Sequence, residues 1–255
     1  MTDLTEDPTE VGAQEAEVHQ ALGKNMKHID TFFNNDTKLC IREAISEAES
    51  ITSAEIVTVL TDSSGRYERA EDLAGFFLAI ISLVFCWLNF QDVLTDGVWL
   101  SAQNPNLQLD LGIIIFILVV GYLLGAFLAS RIGWLKRLFC SRKTMESCLH
   151  EKAIQAFQLQ RVGKTKDGTG VIIFMSLFEH MVFVLGDVGI SKHLSNEDFV
   201  EVRDIILDGF RKNQKKDGMV EAILLCGQKL QKFCPLKPDD KNELCNDLRI
   251  WKQFS

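Results

Sequence analysis

EIVTVL, residues Glu55 to Leu60, is short, rich in β-branched side chains and bounded by Ser, Thr and Gly. That pattern predicts a buried β-strand. A single strand cannot fold, because its backbone groups need neighbouring strands. The preceding residues offer none. Soon after it come LAGFFLAIISLVFCWLNF, Leu73 to Phe90, and then LGIIIFILVVGYLLGAFLAS, Leu111 to Ser130, neither of which carries a charge. The partners of the strand must lie beyond both.

Each apolar segment is close to the roughly 20 residues that a helix needs to cross the hydrocarbon core. A helix packed in a soluble core usually keeps a polar face, and these have none. The segments are therefore expected to form a transmembrane helical hairpin, residues 73–130, with spans at 73–90 and 111–130. The first span begins too late for a signal peptide, and the N-terminus, MTDLTEDPTE, is acidic.

The loop from Gln91 to Asp110 has no Lys or Arg and carries Asp92, Asp96 and Asp110. Arg66 and Arg69 precede the first span, and Arg131, Lys136, Arg137, Arg142 and Lys143 follow the second. Positive residues favour the cytoplasmic side, so the tip is expected outside and both flanks inside. Trp87, Trp99 and Trp134 fall near the expected interfaces. The basic run from Arg131 to Lys143 sets topology and is also suited to anionic lipid head groups.

None of the seven cysteines lies in the outside loop, and none forms a C-x-x-C pair. An odd number without tight spacing fits a reducing compartment and speaks against a structural zinc site. Cys140, beside the membrane, is either an acylation site or a plain thiol. A net charge of −8 excludes a general nucleic-acid-binding surface.

Residues 1–12 are acidic and lack apolar periodicity, which reads as disorder. Helices are expected at Glu15–Phe33 and Thr37–Ser50, so that 13–72 holds two helices and the first strand. After the hairpin, Thr144–Gln160 is amphipathic, GKTKDGTG (Gly163–Gly170) is a loop, and VIIFMSL and MVFVLGD are two strands linked by FEH. Further helices are expected at Asn196–Lys212, with Ser195 or Asn196 as cap, and at Asp217–Phe233, ended by Cys234-Pro235. The remainder of the domain thus covers 131–235, and 236–255 is a polar tail. The fold class expected is α/β: one small mixed sheet joins the strands at Glu55, Val171 and Met181, with helices around it and the membrane hairpin inserted. An insertion requires both flanks on one side, as the charges independently indicate.

The order of TSAEIVTVL (Thr52–Leu60), KDGTGVIIFMSL (Lys166–Leu177), VFVLGDVGI (Val182–Ile190) and DGMVEAILLCGQKLQKFCP (Asp217–Pro235) resembles the TPM domain family. It looks closest to a bacterial branch with a helical hairpin after the first strand and a tail like PDDKNEL, Pro238–Leu244. The resemblance implies a small β-sheet sandwiched by helices, calcium or similar divalent-ion binding, and, for some plant members, acid phosphatase activity. Other members act in membrane-complex repair or receptor modulation without clear catalysis. A cytoplasmic domain in a bacterial inner membrane departs from the family's usual lumenal or periplasmic placement, and calcium is scarce there.

Asp187 and Asp167 fall within the family-like motifs and are the first candidates for Ca2+ or Mg2+; Asp62 and Glu55, at the ends of the first strand, complete the candidate set. The competing reading makes Asp167 a turn residue before Gly168 and Asp187 a cap at a glycine turn. Three or more oxygens gathered in space would decide for metal. GKTKDGTG precedes a strand, so it is not a nucleotide P-loop, and LGDVGI is not a dinucleotide fingerprint. His193 and Ser191 lie near Asp187 but form no triad by sequence; His150 and His180 are expected elsewhere. Two functions remain: an interaction module that assembles or maintains a membrane complex, and a divalent-metal-dependent phosphatase or other hydrolase.

Overall fold

The computed structural model describes residues 33–90, 111–238 and 242–251. The expected N-terminal disorder, most of the helix at Glu15–Phe33 and the loop of Gln91–Asp110 with Trp99 lie outside the described residues. The chain divides into two compact units: residues up to Ser64 together with Leu149 onward, and Gly65–Cys148 between them.

The first unit opens with α1 (Asn35–Glu49), whose first turn is capped by the Asn34 side chain, which accepts from Thr37 N at 2.9 Å. Strand β1 (Glu55–Thr61) is next and is buried along its whole length. After the second unit come α5 (Arg142–Leu159, which crosses the boundary at Leu149), β2 (Gly170–Ser176) and β3 (Met181–Gly186). A single turn, α6 (Val188–Ser191), leads to a 3-10 turn at Asn196–Phe199, then α7 (Val200–Arg211), α8 (Lys215–Gln231) and β4 (Arg249–Trp251). The sheet has four strands in the order β3-β2-β1-β4. β1 pairs parallel with β2, in register Glu55↔Gly170 to Thr61↔Ser176, and β2 pairs antiparallel with β3 through the FEH turn.

The sequence pattern gives the sheet three strands and leaves 236–255 as a polar tail; the tail provides a fourth strand, β4, parallel to β1 at Val59↔Arg249 to Thr61↔Trp251. Three residues flanked by charges give no strand signal of their own. Their pairing follows from β1, which needs a second neighbour. The tail is held by polar contacts. Glu55 accepts from the backbone N–H groups of Glu243 (3.0 Å) and Leu244 (3.2 Å). Glu49 accepts from Asn246 (2.6 Å) and Asn242 (3.2 Å), and Arg42 pairs with Asp247.

Strand alternation sorts the core into two layers. Ile56 and Leu60 of β1, Val171, Ile173 and Met175 of β2, and Val182 and Val184 of β3 pack with Phe33, Ile41, Ile45, Val202, Ile206, Met219 and Ile223. On the opposite face Val57, Val59, Ile172 and Phe174 pack with Leu149, Ala153 and Ala156 of α5, and Phe183, Leu244 and Trp251 lie against them. The result is a mixed sheet sandwiched by helices. Cys226 is fully enclosed in α8, and burial pushes its thiol up to about 12, which makes it an inert core group.

The second unit holds α2 (Glu68–Phe90) and α3 (Leu111–Arg131), both long and apolar enough to cross a membrane over Glu68–Leu88 and Gly112–Arg131. Small residues let them approach. A Cβ at Gly121 would lie 2.8 Å from Ala79 Cα, and one at Gly125 would lie 2.8 Å from Gly75 Cα. Phe76, Phe85, Leu88 and Phe116 point outward from the pair. A short helix, α4 (Gly133–Leu138), follows them.

Deleting residues 242–255 should strip Glu55 of two charge-assisted hydrogen bonds and β1 of one edge. A loss of about 3 kcal/mol or more is expected. Chemical unfolding of the full and shortened chains in the same mild detergent would measure it; equal midpoints would show that the tail is not part of the sheet.

Candidate functional site

The strand register sorts the four candidate acids. β1 and β2 start at the end of the sheet where β3 finishes, so Glu55, Asp167 and Asp187 share that end. Asp62 lies beyond the other end of β1, roughly 20 Å away by strand rise. There its carbonyl accepts from Phe178 N at 2.8 Å.

Asp187 and Asp167 stand on facing turns. Gly189 N donates to Gly168 O at 2.9 Å, and a Cβ at Gly189 would lie 2.9 Å from the Asp167 carbonyl. Gly168 sits at φ +65, and a Cβ there would be 3.4 Å from Asp187 Oδ2. Glycine is thus required at 168 by the backbone angle and at 189 by the close approach. The two carboxylates have separate partners. Asp187 begins α6 and accepts from Val188 N at 2.7 Å. Asp167 is exposed and paired with Lys237 Nζ at 2.7 Å, which holds its carboxyl below the usual range.

Lys237 is brought there by the segment before β1. Thr52 Oγ1 and Ser53 N both donate to the Cys234 carbonyl, at 2.6 and 3.0 Å, and Lys237 N donates to Ser53 Oγ at 2.9 Å. Thr169 Oγ1 donates to the Ser53 carbonyl at 3.0 Å. One end of the sheet is therefore a continuous polar lattice of the stretches 52–55, 166–169, 186–191 and 234–237.

A hard cation takes six to eight oxygens. Among the described residues no group of three or more His, Cys, Asp or Glu is arranged to hold a metal ion. Glu55 has both oxygens on tail N–H groups, and Asp167 is on Lys237, so the donor set as built does not fit such an ion. Ser191 Oγ donates to the Gly186 carbonyl at 2.9 Å, and His193 stacks on Phe233 with ring centroids 5.6 Å apart. His150 packs edge-on against Phe183, and His180 occupies the β2–β3 turn at φ 51.

Among the described residues the most enclosed acid is one that the sequence did not single out. Glu179, in the FEH turn, is 0% exposed. Its carboxylate accepts from Ser64 N (2.8 Å), Ser64 Oγ (2.6 Å) and the Ser176 hydroxyl. It ties the turn between β2 and β3 to the loop after β1, directly before the chain leaves for the apolar hairpin. A lone acid in a tight turn normally reads as solvated, and only the tertiary fold brings Ser64 to it.

The geometry permits comparison with known proteins. No protein-family model matches the sequence, and no curated protein matches it. The fold resembles that of BA42. That protein, from the psychrophilic bacterium Bizionia argentinensis, has an NMR structure that aligns with 86% of this chain and 96% of its own at a TM-score of 0.50. Sequence identity is 19%, so the likeness concerns the fold alone.

Glu179→Ala should cost about 3 kcal/mol, because it leaves buried donors without an acceptor. Glu179→Gln, which keeps one carbonyl oxygen, should cost about half as much. Unfolding midpoints of the two variants in detergent would test this, and an unchanged midpoint for Glu179→Ala would refute the anchoring role.

Among the described residues three carboxyls are held below their usual range: Asp167 by Lys237, Asp198 by the Ser195 backbone and hydroxyl, and Asp247 by the Cys245 thiol and Arg42. Each binds protons more weakly folded than unfolded. Their contribution is therefore present above the unfolded value of about 3.9 and is lost as pH falls through the folded one. Urea midpoints should drop below about pH 4, less steeply at high salt because these groups are screened.

Proposed function

We propose that this chain is a membrane-anchored interaction module, whose α/β unit binds protein partners and helps to assemble or maintain a membrane complex. The observation that carries the reading is the position of α2 and α3. Two helices apt to cross a membrane are inserted between the paired strands β1 and β2, which supports a membrane anchor for the α/β unit. The positive residues flanking both helices support a cytoplasmic placement in a bacterial inner membrane. The resemblance of the four strand and helix motifs to the TPM domain family supports the same class of role.

A divalent-cation-dependent phosphatase or other hydrolase is the second reading. It is favoured by one feature, the facing turns that bring Asp167 and Asp187 side by side. It would require Asp167 to exchange Lys237 for a cation and further oxygens to come from groups that now serve the turns.

Three measurements test the placement and separate these readings. A cysteine placed at Ser101 should react with an impermeant maleimide in intact cells, whereas one placed at Ser195 should not; the reverse pattern would overturn the cytoplasmic placement. Purified protein should turn over no generic phosphate ester with Ca2+ or Mg2+, and it should bring specific partners through purification in mild detergent. Metal-dependent turnover abolished by Asp187→Ala would establish the hydrolase instead.

A further inference from the structure

The chain does not run straight from α3 into α4. Ile132 is extended (φ −108, ψ 96), which breaks the helix after Arg131 and lets α4 leave at a new angle. One side of the new segment is committed to the hairpin. Phe139 packs against Phe77 of α2 with ring centroids 5.4 Å apart, and Lys136 Nζ lies 2.6 Å from Glu71 Oε1, both side chains largely covered. The other side is not. Trp134 and Leu138, one helical turn apart, are 71% and 70% exposed. An outward Trp/Leu pair that begins three residues past the end of a spanning helix stands at the depth where Trp is favoured and where amphipathic segments bury their apolar side.

Cations bracket this face. Arg131 ends α3 with its guanidinium over the Phe127 ring at 5.1 Å, Arg137 lies within α4, and Arg142 and Lys143 begin α5. The nearby acids are largely committed: Glu71 to Lys136, and Asp72 to Tyr122 Oη at 2.8 Å. Glu146 pairs with Arg142 at 3.1 Å, but both side chains are exposed, where an ion pair is readily exchanged for a phosphate. We propose that α4 is an interfacial anchor selective for anionic lipid: Trp134 and Leu138 enter the boundary between head groups and acyl chains, while Arg131, Arg142 and Lys143 gather negatively charged head groups. Lys136 does not take part, since it is held by the hairpin. The inference rests on the spanning reading of α2 and α3. It adds to that reading an apolar interfacial face on α4, and a division of labour among the basic residues that spacing alone did not reveal.

The full chain with Trp87, Trp99 and Trp251 changed to Phe retains Trp134 as its one tryptophan. It would be reconstituted in phosphatidylcholine vesicles containing brominated phosphatidylcholine or brominated phosphatidylglycerol, with both leaflets alike so that insertion direction does not matter. Blue-shifted Trp134 emission is expected, quenched more by bromines at carbons 6 and 7 than at 11 and 12, and more by the anionic lipid. Arg142→Gln with Lys143→Gln should lower the anionic preference by about fivefold for each cation, while Lys136→Gln should leave it unchanged. In the unmodified chain, the same pair of changes should lower the share of phosphatidylglycerol retained through mild-detergent purification. Unquenched, red-shifted emission, or equal quenching by the two lipids, would overturn the proposal. Extraction at alkaline pH distinguishes the two levels: protein released from vesicles would refute spanning itself, whereas protein that stays while Trp134 remains unquenched would refute the anchor alone.

Discussion

Strand β1 is buried along all of its residues and must be hydrogen-bonded on both edges. That requirement organises the rest of the molecule. One edge is met by β2, which lies beyond the apolar hairpin in sequence, and the other by β4, almost at the end of the described chain. Closing so long a loop costs little more in chain entropy than closing a short one, and burial on both faces of the sheet offsets that cost. Because the chain must leave β1 and return to β2, the hairpin's two ends are confined to one side of any bilayer it crosses.

Each end of β1 is secured by a carboxylate, in opposite ways. At the start, Glu55 receives the backbone N–H groups of the tail and so recruits the segment that becomes β4. At the finish, Glu179 reaches from the β2–β3 turn to Ser64. Buried acids are destabilising unless fully hydrogen-bonded, and both are engaged by several donors. Their role is positional: they fix the segments that flank the strand. Asp167 pairs with a lysine and Asp187 accepts from a helix-start N–H, at the end of the sheet where four separate stretches of chain meet.

Much of the architecture was legible in local pattern. VIIFMSL and MVFVLGD are β-branched runs around a three-residue link, and they form the expected antiparallel hairpin. At the cap expected near Ser195, its N–H and hydroxyl both donate to Asp198 Oδ2, and α1, α5 and α8 fall within about two residues of their expected limits, the usual scatter of helix ends. The helix expected at Asn196–Lys212 begins instead with a 3-10 turn, a frequent way to tighten a first turn. The candidate acids were found by type and motif, but their grouping was not. Whether Glu55 shared an end with Asp187 depended on strand direction, and direction is set by which edge of β1 each strand takes. Glu179 escaped notice because its partners, Ser64 and Ser176, give no sequence signal of a buried carboxylate site.

The amino-acid sequence by itself determined the properties carried by neighbouring residues: the strand runs, the helix faces, the uncharged runs 73–90 and 111–130 within α2 and α3, and the sign of charge on their flanks. These arise from periodicity and solvation, which act along a few turns of chain. Tertiary structure alone decided that the polar tail becomes a strand, that Lys237 meets Asp167, that Glu179 holds Ser64, and that one side of α4 is left uncovered while the other packs on Phe77. Each of these joins residues far apart in sequence or selects one face of a helix, and such choices are made only when the whole sheet and the helical pair have assembled.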